Sequence, residues 1–526
     1  MSTRTTLVLT AALAALPALA QERPSEGDLF GGDTPETKPA PADAPRPDES
    51  SLFGDAPAST PATQGAAATS APETSSAMPQ DRDAQALGGP AATNAFDTEE
   101  AVEDPLKIGG RFYLRAFTQG NEGVSFGNTS FSAPMLVDGY FDARPTDRLR
   151  GFVLGRLTFD PTRQAGSTGL IPTGTSTSNI SADPRVVLDQ AWLRFDLEHK
   201  LFITAGKQHV KWGTSRFWNP TDFLSPQRKD PLALFDARTG ATMLKVHVPW
   251  EEKGWNFYAI GMLDNAGPAN TLGRVGGAAR AEVVLGSTEL GLDAVIQRGR
   301  KPRFGLDISS GLGPIDIYGE LALKKGSDTP LYRLPENVSL GDLLGQVQGN
   351  DGGGPPDIGA LPIEAYYPDG YTPQVSGGAT WTFAYSENDT ATVGVEYFYN
   401  STGYPTSLAY PYLIFQGQYQ PFYVGRHYAA VYALLAGPGS WDNTNFILSN
   451  LGNLSDRSFT TRLDVTHRAL RYLSVEAFIA ANYGQRGGEF RFALNLPALR
   501  MGEQVTAPIV VAPPTLQAGV GLRIDL

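Results

Sequence analysis

The sequence predicts an all-β protein: a transmembrane antiparallel β-barrel of about 18 strands (about 16–18), preceded by a disordered linker. Three observations lead to this prediction. The chain of 526 residues has 58 Gly and 40 Pro but only 18% charged residues, which suits many short strands joined by turns. From residue 106 onward, apolar and polar residues alternate. Short and long connections between these segments also alternate along the chain.

Residues 1–20 have the layout of a secretory signal peptide. Arg4 precedes an apolar run, and Ala18 and Ala20 mark a cleavage site. We therefore expect an exported chain that begins at Gln21. The sequence contains no cysteine, so we expect neither disulfide bonds nor a lipid anchor on cysteine. No later segment has the roughly 20 consecutive apolar residues of a membrane helix, so a membrane location would require a closed barrel.

Residues 21–105 are predicted to be a disordered, acidic linker in the periplasm, rich in Pro, Ala, Ser and Thr. Such a segment buries too little apolar surface to offset the entropy lost on ordering. Residues 21–104 hold 17 acidic and four basic residues, a net charge of −13 that equals the net charge of the whole chain. The predicted barrel, residues 106–526, is therefore nearly neutral.

The linker contains two similar short motifs, GDLFGGD and SLFGD, and each places a Leu-Phe pair among polar residues. Leu29 with Phe30, and Leu52 with Phe53, are candidate docking residues for periplasmic protein partners. A disordered segment needs a few apolar anchors of this kind to bind. The alternative interpretation is a chance match in a low-complexity tract.

The alternation within residues 106–526 assigns one face of each predicted strand to lipid and the other to the lumen. In the first strand, Ile108 and Phe112 share the apolar face, whereas Arg111 and Arg115 share the polar face. Long connections are predicted near residues 160–185, 213–239, 326–373, 401–425 and 484–514. Short turns separate them, and an even number of strands places both chain ends on the short-turn, periplasmic side.

The final residues, TLQAGVGLRIDL, alternate in the same way and stop on the apolar Leu526. This segment resembles the C-terminal assembly signal of Gram-negative outer-membrane proteins, although it ends in Leu where Phe is commoner. The resemblance implies a barrel that the outer-membrane assembly machinery inserts into the lipid bilayer of the outer membrane, with its linker in the periplasm.

A second resemblance lies in GKQHVKWGTSRFWNPTDFL, residues 206–224. Gly-Lys-Gln, then Trp-Gly, then Asn-Pro-x-Asp is similar to a pattern in large porin-like outer-membrane proteins. The resemblance supports the barrel class and implies nothing about cargo. A strand is predicted over 201–212 and a long outer loop over 213–238.

Two interpretations of this loop remain open. Its aromatic side chains suit the boundary between water and lipid, which makes it a structural rim; they are Trp212, Phe217, Trp218 and Phe223. Alternatively, the loop folds inward and its charges narrow the lumen; the candidate constriction residues are Arg216, Arg228 and Lys229.

Basic residues at period two on two neighbouring strands form a candidate lumen patch. They are Lys207, His209 and Lys211 on one strand and Lys245 and His247 on the next. A basic lumen would favour anionic solutes. The alternative is an ordinary polar lumen in which nearby acids balance these charges.

Three functions follow, in order of preference. The first is a porin-like channel for small hydrophilic solutes or for polymer export. The second is a structural anchor of a trans-envelope complex, docked through residues 21–105. The third is a barrel-embedded hydrolase, which has little support because the one GxSxG match, at residues 123–127, lacks a strand-turn-helix setting. We expect no enzyme activity, cofactor, metal or nucleic-acid partner.

Overall fold

The computed structural model describes residues 105–163, 183–233, 238–263, 275–335, 338–350, 355–387, 389–501 and 504–526. Eighteen long strands, numbered β1–β18 in chain order, form its wall. Their bounds are β1 Leu106–Asn121, β2 Met135–Thr146, β3 Leu149–Phe159, β4 Arg185–Leu197, β5 Leu201–Gln208, β6 Ala241–Trp250, β7 Trp255–Met262, β8 Gly276–Leu285, β9 Thr288–Gln297, β10 Arg303–Leu312, β11 Ile315–Lys325, β12 Tyr371–Ala384, β13 Thr390–Asn400, β14 His427–Ala436, β15 Thr444–Asn453, β16 Ser458–Leu470, β17 Leu473–Gly484 and β18 Pro514–Asp525.

The sheet closes on itself. Each strand pairs antiparallel with its neighbours in sequence, and β1 also pairs with β18, where Arg111 lies opposite Asp525. The short strand Ser130–Ser132 adds to the end of β1. A closed sheet has no edge of unpaired backbone N–H and C=O groups, which is the condition for strands to span lipid. The predicted antiparallel barrel is confirmed.

The two faces of the wall differ as the alternation predicts. In β1, Arg111, Tyr113 and Arg115 point inward and are only 8%, 5% and 5% exposed, whereas Ile108 on the opposite face is 67% exposed. Glu320 of β11 likewise points inward and is 3% exposed. An apolar exterior around a charged interior is the pattern of a wall that faces lipid.

The two ends of the barrel also differ. At the end where β1 begins and β18 ends, short turns connect the strands, and two of them are Gly286-Ser287 and Gly313-Pro314. Gly286 and Gly313 each have a φ of 66°, a left-handed conformation that glycine adopts without steric cost, so each can close a two-residue hairpin. The long connections lie at the opposite end, as predicted.

Three long loops, β11–β12, β13–β14 and β17–β18, share a hydrophobic core that includes Leu344, Leu413 and Leu499, each 0–2% exposed. These loops form the cap of the barrel. Their helices are α1 Leu340–Asn350 and α2 Tyr410–Phe415, and their paired short strands are Leu331–Arg333 with Glu364–Tyr366, Leu494–Leu496 with Ile509–Val511, and Arg500–Met501 with Gln504–Val505. Single 3-10 turns occupy Phe126–Asn128, Glu251–Lys253, Ile358–Ala360, Ser407–Ala409 and Glu489–Arg491. No helix among the described residues is long and apolar enough to cross a membrane.

Candidate functional site

We call the connection between β5 and β6, residues 209–240, the inward loop. Residues 209–233 and 238–240 of this loop are described. The strand before it ends at Gln208 and not at residue 212 as predicted. The loop bonds to Glu320 of β11 and Glu396 of β13, which lie six and eight strands further round the eighteen-strand wall. Because both carboxylates point inward, the loop must run across the lumen to reach them.

Glu320 holds the first part of the loop. Its carboxylate accepts the backbone N–H groups of Thr214 at 2.8 Å, Ser215 at 2.6 Å and Thr221 at 3.2 Å. It also accepts the Thr221 hydroxyl at 2.7 Å and the Asn219 side-chain amide at 3.2 Å. Hydrogen bonds to a charged acceptor are the strong ones, so one buried side chain fixes the turn that contains the Asn-Pro-x-Asp motif.

Glu396 holds the next part of the loop. The consecutive backbone N–H groups of Arg216, Phe217 and Trp218 donate to this carboxylate at 2.9, 3.1 and 2.8 Å. The Tyr318 hydroxyl on β11 donates to it at 2.9 Å. Successive amides that converge on one anion form a concave site of the kind seen at anion-binding nests. The loop backbone is therefore the ligand of the wall carboxylate.

The aromatic side chains of the loop lie inside the barrel and not at the membrane rim where they were expected. Trp212, Phe217, Trp218 and Phe223 are 4%, 1%, 0% and 6% exposed. The Trp218 ring stacks on Phe398 of β13 with centroids 5.7 Å apart, and its Nε1 donates to the Phe422 carbonyl at 2.9 Å. The physical reason is the pair of wall carboxylates, since they draw the backbone inward and carry the rings with it.

The predicted lumen residues of β5 are placed differently from one another. Lys207 shares a face with the outward Ile203 and Ala205, and its Nζ donates to the Leu188 carbonyl at 2.7 Å. It therefore lies on the outer side of the wall and does not join a lumen patch. The cause is that lumen residues of β5 occupy even positions and period two excludes residue 207 from that face.

The remaining residues of the predicted patch have local partners. His209 Nε2 lies 3.0 Å from the Asp189 carboxylate, which also accepts an Arg156 guanidinium at 3.0 Å. Lys211 lies in the inward loop and is half-buried. Lys245 and His247 face the lumen from β6; Lys245 is 5% exposed, and His247 Nε2 lies 2.9 Å from Asn256 Oδ1. Within the predicted basic patch, His209 therefore has an acidic partner and His247 has a hydrogen-bond partner in the wall.

The three candidate constriction residues lie in the inward loop. The Arg216 guanidinium lies over the Tyr432 ring, 5.1 Å from its centroid, and Arg228 lies over the Tyr423 ring at 5.2 Å. Lys229 Nζ donates to the Arg216 carbonyl at 2.5 Å. Stacking of guanidinium groups on aromatic faces positions the charge without neutralising it. Lys229 cross-links the loop to itself.

Sequence reasoning did not single out Arg280 on β8, which anchors the root of the loop. This guanidinium bonds to Glu282 at 2.8 Å, Asp293 at 2.6 Å and Asp307 at 2.7 Å, and it lies 5.8 Å from the Trp212 ring centroid. Three carboxylates surround one guanidinium group, so acidic groups outnumber basic groups in this cluster. No short-range motif signals the cluster, because its members come from three strands.

The cap contains a buried carboxyl outside the strands. Glu489 accepts the Phe422 backbone N–H, the Tyr428 hydroxyl at 2.7 Å and the Asn453 side-chain amide at 2.9 Å. Burial, and then the nearby Asp456 carboxylate, raise the pKa of Glu489 to about 8. The pKa of Asp456 is also raised, chiefly by burial. The packing of the cap is therefore linked to pH.

Three further predictions concern the docking residues of the linker, the GxSxG match and metal binding. Leu29, Phe30, Leu52 and Phe53 lie outside the described residues. Ser125 of the GxSxG match is exposed and begins a single 3-10 turn after β1. Among the described residues, no group of three or more His, Asp or Glu side chains could hold a metal ion.

No family model matches the sequence, and no curated protein matches it. Among solved structures, the chain is similar to OccAB1 of Acinetobacter baumannii, at 10% identity and a TM-score of 0.46, over 80% of this chain and 96% of that chain. Similarity to OccK9 (OpdG) of Pseudomonas aeruginosa has the same identity and TM-score, over 81% and 99%. A mutant porin of Rhodopseudomonas blastica gives 11% identity and a TM-score of 0.38, over 80% and 100%.

The class of protein follows from the chain's own architecture. A closed wall of eighteen antiparallel strands, an apolar exterior, a charged interior and long loops at one end define a porin-like outer-membrane β-barrel.

Proposed function

We propose that this barrel is a channel through which small hydrophilic solutes cross the outer membrane, narrowed by the inward loop and without catalysis. The observation that carries the proposal is the attachment of the loop backbone to Glu320 and Glu396 on the far wall. A wall of this size encloses a lumen wider than its own side chains fill. A loop fixed across such a lumen reduces its width and places charged groups along the path.

The contents of the lumen favour small solutes over a polymer. Behind the inward loop, a cluster of buried aromatic side chains extends up to the cap, including Trp218, Phe422, Tyr428 and Phe490, each 0–6% exposed. These rings occupy the side of the lumen next to β13–β15. On the side of β1–β4 the inward face of the wall carries charged groups such as Arg115 and Arg156, and we place the path of the solutes on this side.

Reconstitution tests the channel directly. Purified protein in a planar bilayer should carry a steady ionic current, and liposomes that contain it should swell in small sugars but not in large oligosaccharides. A barrel that inserts, as judged by a heat-dependent shift in gel mobility, yet passes neither ions nor sugars would rule the channel out.

The acidic linker supports a second proposal, an anchoring role in an envelope complex. A diffusion channel has no need of residues 21–105, and the Leu-Phe pairs at Leu29-Phe30 and Leu52-Phe53 provide apolar anchors. The test is capture of periplasmic proteins by the full chain and by a variant with all four residues changed to Ser. Equal capture by both chains would remove the docking role of these residues.

A further inference from the structure

Two cationic side chains lie opposite each other where the inward loop reaches β10 and β11, and a third lies in the loop near them. Arg303 and Lys324 are direct cross-strand partners, and Lys324 shares the lumen face of β11 with Glu320 and Ala322. Like charges placed directly opposite each other in a sheet destabilise it. Arg303 is only 7% exposed, so water screens this repulsion poorly. The pair therefore costs stability unless an anion offsets it.

The inward loop adds the third cation. Arg303 Nη1 donates to the Phe223 carbonyl of the loop at 3.3 Å, which ties the loop to this part of the wall. Five residues later Arg228, held over the Tyr423 ring, interacts electrostatically with both Arg303 and Lys324. The cation cluster is thus Arg228, Arg303 and Lys324, one from the loop and two from the wall.

The carboxylates near the cation cluster do not balance it. Among the described residues, Asp328 is the one acid that acts on Lys324 and on Arg303. Its carboxylate lies 3.8 Å from Arg303 Nη2, and the side chain is 38% exposed. Asp328 also accepts the Lys301 backbone N–H at 2.8 Å. The cations outnumber this acid, in contrast to Arg280 with its three acids.

We propose that the cation cluster is a binding site for a dianionic oxyanion group, such as the sulfate or phosphate-ester group of a solute. The inference deepens the proposed channel function, since it names the class of solute that pauses at the narrow part. Two planar guanidinium groups supply paired N–H donors, and an ammonium group adds a compact charge. A dianion offsets the repulsion between these cations more fully than a monoanion does.

Calorimetry on the purified full chain in detergent tests this site without requiring an open pore. Sodium sulfate is titrated at constant ionic strength, and sodium acetate provides the monovalent comparison. Sulfate should bind, and acetate should bind about tenfold more weakly or not at all, because it offers fewer charge-assisted hydrogen bonds to the cations. Arg303→Gln and Lys324→Gln should each weaken sulfate binding by about tenfold or more.

A matched control is Arg298→Gln, which removes one positive charge from the exposed turn after β9 and should leave sulfate binding unchanged. Lys324→Gln also removes like-charge repulsion, so its barrel should resist heat in gel mobility at least as well as the unmodified barrel. Failure of sulfate to bind, or equal binding by all variants, would overturn the site. Sulfate binding without ionic current would uphold the site and reject the channel, and current without sulfate binding would do the reverse.

Discussion

Single residues decide whether the inward loop can reach its partners, and Gly213 shows this most clearly. Its φ is +96°, and a Cβ placed there would lie 2.6 Å from the Glu320 carboxylate oxygens. Only glycine combines that backbone conformation with the close approach of the carboxylate. The Trp-Gly pair in the sequence is therefore explained by the wall residue that it contacts.

Gly213→Ala should loosen the loop. Strain at a positive φ together with the displaced carboxylate is expected to cost about 1–3 kcal/mol. Limited proteolysis in detergent should then cut within residues 209–240 faster than in the unmodified barrel. Gly139→Ala is the control, because no atom lies within 4 Å of a Cβ built there. Equal cleavage rates in the two variants would show that Gly213 is not constrained.

Lys207 and Arg228 should differ in their effect on the charge selectivity of the channel. Lys207 lies on the outer side of the wall, so Lys207→Gln should leave the reversal potential in a KCl gradient unchanged. Arg228 lies in the cation cluster, so Arg228→Gln should shift the reversal potential toward cation preference. A shift with Lys207→Gln and none with Arg228→Gln would contradict the assignment of the two side chains.

At the scale of elements, the stability of the cap depends on pH through the Glu489 carboxyl. In the folded cap the pKa of Glu489 is about 8, against an ordinary value of 4.5, so folding favours the protonated carboxyl. The contribution to stability is complete below about pH 4.5 and is lost as the pH rises through about 8. Asp456 acts in the same direction.

The cap should therefore open more readily as the pH rises from 4.5 to 8. Amide hydrogen exchange in the segment around Phe490, corrected for the intrinsic effect of pH, should show falling protection over this range. Glu489→Gln, which mimics the neutral carboxyl, should show a smaller fall. Protection that increases with pH in the unmodified chain would refute the sign of the linkage.

Elements of the wall could be predicted from sequence, but the path of the loop could not. Alternation correctly placed Arg111 and Arg115 on the lumen face, because burial on one face imposes a period of two. The strand before the loop was predicted to be too long, since the alternation of Lys207, His209 and Lys211 continues past the last backbone pair. Trp218 carries no local signal of its burial, because its partner Glu396 is 178 residues away and tryptophan is equally suited to a membrane rim.

At the scale of the whole molecule, the barrel combines a closed wall of paired strands with an inward loop that is attached to wall residues distant in the sequence. The strands are fixed by their backbone ladders, whereas the inward loop depends on Glu320 and Glu396. Replacing each carboxylate by an amide places NH2 groups against N–H donors, so hydrogen bonds are lost while the wall remains. In the proposed function, this attachment narrows a water-filled channel.

Single-channel current in planar bilayers measures this narrowing, by comparing the unmodified barrel with the double variant Glu320→Gln/Glu396→Gln. The control Glu252→Gln removes a charge from an exposed turn. Release of the loop predicts a noisier current that is larger by on the order of twofold in the double variant, and no change in the control. A double variant that inserts and folds, yet conducts like the unmodified barrel, would show that the attached loop does not narrow the channel.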